Sequence, residues 1–113
     1  MHEMSIAQSI VEIAKEYAAK ENATVITEVE LAIGTLAGIE FHSLEFALEV
    51  CKNGTLLQDA KIKIHKIKAE ARCLDCNSKF EVVHLFDACP LCNGYQTQLL
   101  CGKELQVKSL VID

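Results

Sequence analysis

Cys73 and Cys76, and again Cys89 and Cys92, form two C-x-x-C pairs with twelve residues between them. A C-x-x-C turn can place two sulfurs on one ion, and two such turns facing each other complete a tetrahedral tetrathiolate site. The twelve-residue linker suffices for a short hairpin that returns the second pair to the first. That second pair reads Cys89-Pro90-Leu91-Cys92-Asn93-Gly94, a tight turn punctuated by its own proline and glycine. The linker is somewhat shorter than the commonest zinc-ribbon spacing and still predicts a structural Zn(II) site on Cys73, Cys76, Cys89 and Cys92. The competing reading is a disulfide framework, which needs an oxidising compartment. The opening Met1-His2-Glu3-Met4 has neither the basic nor the apolar region of a secretory leader, so a cytoplasmic location is expected. A closed four-thiolate site is a staple. It locates a module without saying what the protein does.

Chemistry is also possible at the N-terminus. The large His2 disfavours removal of the initiator methionine, leaving the Met1 α-amine, the His2 amide nitrogen and the His2 imidazole in adjoining chelate rings. The Glu3 backbone amide or an outside donor would complete four nitrogens in a plane, a set suited to Ni(II) or Cu(II) and poor for zinc. A helix beginning near Glu3 or Met4 would leave its first amides without intrahelical acceptors. Its positive end repels a cation and also favours deprotonating the nitrogens that bind one; the two effects oppose. On its own, a histidine at position 2 reads more simply as an exposed, frayed end.

Composition narrows the function. A chain of 113 residues, half of them hydrophobic, is one ordinary domain or a small domain carrying a smaller, metal-stapled one. No apolar run approaches the ~20 residues of a membrane span. The formal charge is −5, and zinc on four thiolates takes the loaded chain to about −7. Residues 70–101 carry two basic residues, Arg72 and Lys79, against four acidic ones, Glu70, Asp75, Glu81 and Asp87. This argues against nucleic acid, whose binding leans on Lys and Arg at phosphates. No nucleophile, base and orienting group assemble, so an enzyme is not expected.

These sites must be positioned by alternating elements. Residues 4–20 place Ile6, Ile10, Ile13, Ala14 and Tyr17 at helical spacing, with Asn22 as the stop. Residues 25–33 alternate, with Val25, Val29, Leu31 and Ile33 in one phase and Glu28 and Glu30 in the other. A second helix over about 40–53 carries Leu44, Ala47, Leu48 and Cys51 on one face and ends at Asn53-Gly54. Residues 61–69 and 104–112 alternate again, and both slip phase midway, as a bulge or a strand twisting off the core would require. The cysteine module lies between those two strands. The fold class expected is therefore α/β (α+β): a small mixed sheet of about three strands with two helices, the C-terminal strand returning to the sheet, plus an inserted four-cysteine zinc ribbon. Residues 1–69 and 102–113 would form the α/β domain, and 70–101 the ribbon.

The other candidates read as structural. His65, at a phase slip, is an edge or surface residue; His42 is solvated, with an outside nickel donor as the minority role; His84 is structural within the linker hairpin. Cys51 is a small buried hydrophobe and Cys101 an unpaired cysteine outside the zinc set. Two functional alternatives stand. One is a zinc-ribbon module binding protein or nucleic acid, with an inert N-terminus. The other is an iron electron carrier, since Cys-Pro-x-Cys-x-Gly resembles a rubredoxin loop.

Taken in order, several segments resemble the HypA family of hydrogenase nickel-incorporation proteins. They are Met1-His2-Glu3, Gly34-Thr35-Leu36-Ala37-Gly38, Leu44-Glu45-Phe46-Ala47, the C-x-x-C pairs, and Gly102-Lys103-Glu104-Leu105 followed by Val107 and Ser109-Leu110. The resemblance runs the full length. It implies a non-enzymatic nickel metallochaperone that carries Ni(II) as transient cargo and Zn(II) as a structural ion. Nickel would be held by His2 with the Met1 amine and the His2 and Glu3 backbone amides, and zinc by Cys73, Cys76, Cys89 and Cys92. The implied partners are the GTPase HypB and the large subunit of a [NiFe]-hydrogenase; a homodimer and a urease recipient stay open. Some family members place histidines beside the cysteine pairs and are thought to exchange ligands with pH. Here those flanks are Asn77-Ser78 and Asn93-Gly94, which argues against such an exchange.

Overall fold

A computed structural model describes residues 3–113 of the chain. Helix α1 (Glu3–Lys20) is followed by strand β1 (Ile26–Gly34), helix α2 (Phe41–Lys52) and strand β2 (Lys61–Ile67). Strands β3 (Ala69–Cys73), β4 (Lys79–Val82), β5 (Thr97–Cys101) and β6 (Leu105–Ile112) complete the order. There are two three-stranded sheets, ordered β2-β1-β6 and β4-β3-β5. The contacts Glu28 to Lys63 and Thr35 to Ile67 ascend together, which is parallel pairing across the α2 crossover. Those of β1 with β6 descend, from Val25–Asp113 through Thr27–Val111 to Gly34–Glu104, so this pair is antiparallel. The first sheet is mixed, and the C-terminal strand returns to it as expected. No helix among the described residues is long and apolar enough to cross a membrane.

The chain packs into two compact units: residues 1–31, 39–64 and 107–113, and residues 32–38 with 65–106. In the first, α1 buries Ile6, Ala7, Ile10, Val11, Ala14 and Ala18. This stripe is rotated from the expected face: Ile13 and Tyr17 stay 47% and 39% exposed. The physical reason is size. Ala7, Ala14 and Ala18 stand at i, i+7 and i+11 on the buried face, where small side chains permit close packing that outweighs one more large side chain. Asn22 ends α1 in the left-handed region, with Ala23 N–H reaching Ala18 C=O and Asn22 N–H reaching Ala19 C=O, a Schellman stop. Val25, expected in the inward phase of β1, lies before the strand and is exposed; Ile26 takes its place in the core with Val29 and Leu31. Glu28 ion-pairs with Lys63 at 2.6 Å and Glu30 accepts from Ser109 at 3.0 Å, so the charged phase faces outward as expected.

Both phase slips fall where the chain passes from one unit to the other, between Ile64 and Ile67 and near Val107. In the second unit, β3 is the central strand, antiparallel to β4 and β5. Its inner face is small: Ala69 and Ala71 are buried with Val82, and Leu36 and Phe80 pack on them. The twelve-residue linker holds β4 and a short loop, not a bare hairpin turn.

Candidate metal centres

Two local segments of the same design build the cysteine site. In the first, Cys73 N–H donates to Ser78 C=O and Asn77 N–H to Cys73 C=O, both at 2.8 Å. In the second, Cys89 N–H donates to Gly94 C=O at 2.9 Å and Asn93 N–H to Cys89 C=O at 2.8 Å. Each turn closes with an asparagine in the left-handed region, Asn77 at φ 63° and Asn93 at φ 58°. Asparagine tolerates that conformation better than most residues, which gives the repeated Cys-Asn step a physical meaning. Both loops thus curl their backbone around the pair of sulfurs they carry.

The four Sγ atoms lie within 4.8 Å of one another, Cys73 and Cys89 buried, Cys76 and Cys92 exposed. Across the turns, Cys73 Sγ is 3.5 Å from Cys92 Sγ, and Cys76 Sγ is 3.6 Å from Cys89 Sγ. A disulfide bond is about 2.05 Å long, so these are free thiols, as are Cys51 and Cys101. Sulfurs at about 2.3 Å from a tetrahedral zinc stand about 3.8 Å apart. The site therefore fits a tetrahedral ion with only small adjustment.

The electrostatics agree. The Ser78 hydroxyl and N–H, ahead of smaller contributions from Cys89 and Cys73, pull the Cys76 thiol down to about 6. At Cys92 the Gly94 N–H favours the thiolate, yet the Cys73 sulfur, burial, and the Cys76 and Cys89 sulfurs together push it up to about 12. One sulfur ionises readily and another resists because anions this close repel. A shared dication removes that conflict and lets all four ionise.

The expected nickel donors Met1 and His2 lie outside the described residues. Glu3, the first described residue, lies in α1. The Glu3 carboxylate accepts the Glu40 N–H at 3.2 Å. That N–H and Glu3's own hold its carboxyl below the usual value. Glu40 in turn caps α2, accepting from Ser43 N–H at 2.6 Å and His42 N–H at 3.3 Å. The start of α1 is thus tied to the start of α2. Glu3, Met4, His42, Ser43, Phe46 and Ala47 line a shallow groove there of about 440 Å³.

The remaining sequence candidates fall elsewhere. His42 is exposed in that groove; His65 and His84 are exposed. Cys51 donates to the Met4 sulfur at 3.3 Å, and Cys101 donates to the Lys68 carbonyl at 3.3 Å. Neither joins the four-sulfur cluster. Sequence reasoning missed three features. A Cβ on Gly34 would meet the Gly102 carbonyl and one on Gly102 would meet Ala69, so that neither position has room for a side chain. Asp87 accepts the Val83 and His84 N–H groups at 3.0 Å and organises the loop that follows β4. Phe86, in that loop, is 89% exposed. Only the glycines gave a signal in advance, by their place in the quoted motifs.

A profile described as hydrogenase/urease nickel incorporation, metallochaperone, HypA matches residues 1–112. The hydrogenase maturation factor HypA of Parabacteroides distasonis is 48% identical over 112 residues, spanning 99% of this chain and 97% of that one. That of Geotalea daltonii is 40% identical over 112 residues, with 99% of each chain covered. Among solved structures, the nickel metallochaperone HypA of Helicobacter pylori superposes with a TM-score of 0.69 at 28% identity, covering 99% of this chain and 97% of that chain.

Proposed function

The chain belongs to the HypA family of nickel-incorporation metallochaperones that serve hydrogenase maturation, and from that premise we propose how its own residues divide the work. Nickel is carried at the N-terminus by the Met1 amine, the His2 imidazole and amide nitrogen, and the Glu3 backbone amide. Zinc is held by Cys73, Cys76, Cys89 and Cys92 and fixes the ribbon, residues 70–101, as one domain, with 1–69 and 102–113 forming the α/β domain. The single observation that carries the nickel assignment is the match of residues 1–112 to a nickel-incorporation family; at Glu3 the carboxylate is spent on the Glu40 N–H. The side chain is engaged, and the backbone amide is the donor that position offers.

Delivery needs ligands that can leave. A terminal amine, amides and one imidazole can be displaced stepwise by the recipient, whereas four thiolates in two closed turns cannot. The recipient in this reading is the large subunit of a [NiFe]-hydrogenase, with the GTPase HypB as the partner in transfer, all in the cytoplasm. The six free thiols suit that reducing compartment.

The test is nickel binding to the zinc-loaded chain with its native N-terminus, beside His2→Ala and a variant carrying Gly-Ser before Met1. The native chain binds one Ni(II) in a diamagnetic, planar form. His2→Ala loses it with the fold intact, and the extension moves the amine away from His2 and breaks the chelate. Unchanged affinity and spectrum in the extended protein would overturn the amine-and-amide assignment.

A further inference from the structure

Two Asn-Gly steps stand in this chain, Asn53-Gly54 and Asn93-Gly94. Asn-Gly is the step most given to spontaneous deamidation, because glycine has no side chain to obstruct the attacking nitrogen. At the second step the Gly94 nitrogen would attack Asn93 Cγ. Its proton leaves with the side-chain amide as ammonia, and a five-membered succinimide closes. One water then opens the ring. Opening at the side-chain carbonyl gives aspartate, and opening at the main-chain carbonyl gives isoaspartate, whose backbone runs through Cβ and Cγ. Water is the only co-reactant.

Attack requires a free Gly94 nitrogen and a peptide turned toward the Asn93 side chain, and the folded cysteine loop withholds both. Asn93 is exposed and sits at φ 58°, pinned by its N–H on the Cys89 C=O at 2.8 Å. On the far side of the same peptide, the Gly94 C=O accepts the Cys89 N–H at 2.9 Å. The Gly94 N–H itself is held by the Cys92 sulfur. The Asp75 carboxylate also crowds Gly94, so near that an added Cβ would stand 2.8 Å from its Oδ2. A carboxylate and a thiolate beside the nitrogen oppose the loss of its proton. Each of these restraints comes from the two loops that carry the four sulfurs. They last while an ion holds those sulfurs, since a ribbon of ~30 residues draws its folding free energy from that ion.

Asn53-Gly54 gives the contrast. It follows α2 in the other compact unit, is exposed, and its Gly54 N–H donates to Gln58 Oε1 at 3.1 Å. No cysteine of the cluster guards it. Asn77 gives a second contrast: it closes the sister loop at φ 63°, but Ser78 follows it, and a serine side chain hinders attack. We propose that Asn93-Gly94 is a zinc-gated deamidation site, protected while the four-sulfur site is loaded and modified once the ion is lost, which makes that loss permanent. Isoaspartate adds one carbon to the main chain between the Asn93 N–H and the Gly94 C=O, so the two bonds to Cys89 cannot both re-form. Either product also adds a negative charge beside four thiolates. The proposal rests on zinc as the ion of the cysteine site and is independent of the nickel assignment.

The test holds the full-length chain, of measured zinc content, at neutral pH under reductant, either zinc-loaded or stripped with a chelator. Trypsin then releases residues 53–61 and 80–103, whose only asparagines are Asn53 and Asn93. Mass spectrometry reads the gain of about 1 Da, and an isoaspartate methyltransferase labels the isoaspartate. Asn93 should deamidate about tenfold or more faster in the stripped chain, while Asn53 changes by less than about twofold. Asn77 should lag behind Asn93 in the stripped chain. On return of zinc the aged chain should recover only its unmodified fraction. Asn93→Gly keeps the left-handed turn, has no amide to lose, and should recover in full. Equal Asn93 rates with and without zinc would overturn the proposal, as would full zinc uptake by chains shown to be deamidated. A starting chain that takes up no zinc would overturn the zinc reading and this proposal with it.

Discussion

Gly34→Ala should be among the most damaging single-methyl changes in the second unit. An added Cβ would lie inside contact distance of the Gly102 carbonyl and 2.5 Å from the Lys103 nitrogen. All are backbone atoms, so no rotamer change relieves the clash, and the neighbouring segment must move by about 1.5 Å to bring the Gly102 carbonyl to an ordinary contact distance of about 3.5 Å. Two hydrogen bonds cross at this point, Leu36 N–H to Gly102 C=O at 2.7 Å and Gly34 N–H to Glu104 C=O at 2.8 Å. Overpacking costs about 1–3 kcal/mol, and losing each bond about 1 kcal/mol net, for a total of about 3–5 kcal/mol. A domain of ordinary stability holds about 5–15 kcal/mol, so the variant should be marginal. Urea unfolding of the zinc-loaded protein, followed by far-ultraviolet circular dichroism, reads the difference. Gly38→Ala is the control. Nothing lies within 4 Å of its added Cβ, and its φ of 78° leaves only the conformational penalty, about 1–2 kcal/mol. If Gly34→Ala lost no more stability than Gly38→Ala, the close backbone approach would not be what demands glycine there.

Zinc analysis of the purified chain should give about one equivalent, and Cys73→Ser/Cys76→Ser or a strong chelator should unfold the ribbon, because ~30 residues have too little core to fold without metal; red protein with iron in its place would refute the zinc assignment. Nickel affinity should fall steeply between about pH 8 and about pH 6, by more than one proton per ion, since the amine (~8) and imidazole (~6.5) must both be deprotonated. Zinc should stay bound through the same titration, and a flat nickel profile would point to carboxylate or thiolate ligands. Glu40→Ala should lower the protection of the first α2 amides in hydrogen exchange, with the loss confined to α2 and its contacts. In the native chain the same cap, and the Glu3 tie to it, rest on carboxyls held below their ordinary value of 4.5 by N–H and hydroxyl donors. Their contribution is therefore complete above that value and is lost as pH falls below it, which acid titration of helix content in wild type and Glu40→Ala would check.

Element order and type were legible because periodicity survives in a single sequence. The α1 pattern, the β1 alternation and the α2 face each declared themselves, and so did the stops at Asn22 and at Asn53-Gly54. Which face of α1 is buried was not, since Ile13 and Tyr17 look more hydrophobic than Ala7 and Ala18. A scale of side-chain hydrophobicity cannot see that a helix packs most closely where alanines line up. The phase slips near His65 and Lys108 were visible and their cause was not, because a change from one packed unit to another leaves the same trace as a bulge. At the cysteines, spacing was enough to pair the turns. The left-handed Asn77 and Asn93 were hidden, although the repeated Cys-Asn step could have announced them. Asp87 and the Gly34–Gly102 approach depend on backbone brought together by the tertiary fold, which no local pattern encodes.

With nickel and zinc divided as proposed, the two donor sets would sort two similar ions by geometry more than by affinity. Zinc has no geometric preference of its own from d-electrons and accepts the tetrahedron that two facing C-x-x-C turns present. Divalent nickel gains from a square plane, and the cysteine turns resist flattening because each is locked by its own pair of backbone hydrogen bonds and its left-handed asparagine. A peptide terminus has the opposite character: consecutive nitrogens along a backbone fall into one plane as adjoining five- and six-membered rings close around an ion. Zinc gains little from that plane, and deprotonating amides is a cost it does not recover. In the proposed assignment each ion would thus be steered away from the other's site by the shape that site must keep. A carrier built as proposed would hold a structural zinc permanently while its cargo site stayed open to a ligand-by-ligand exit.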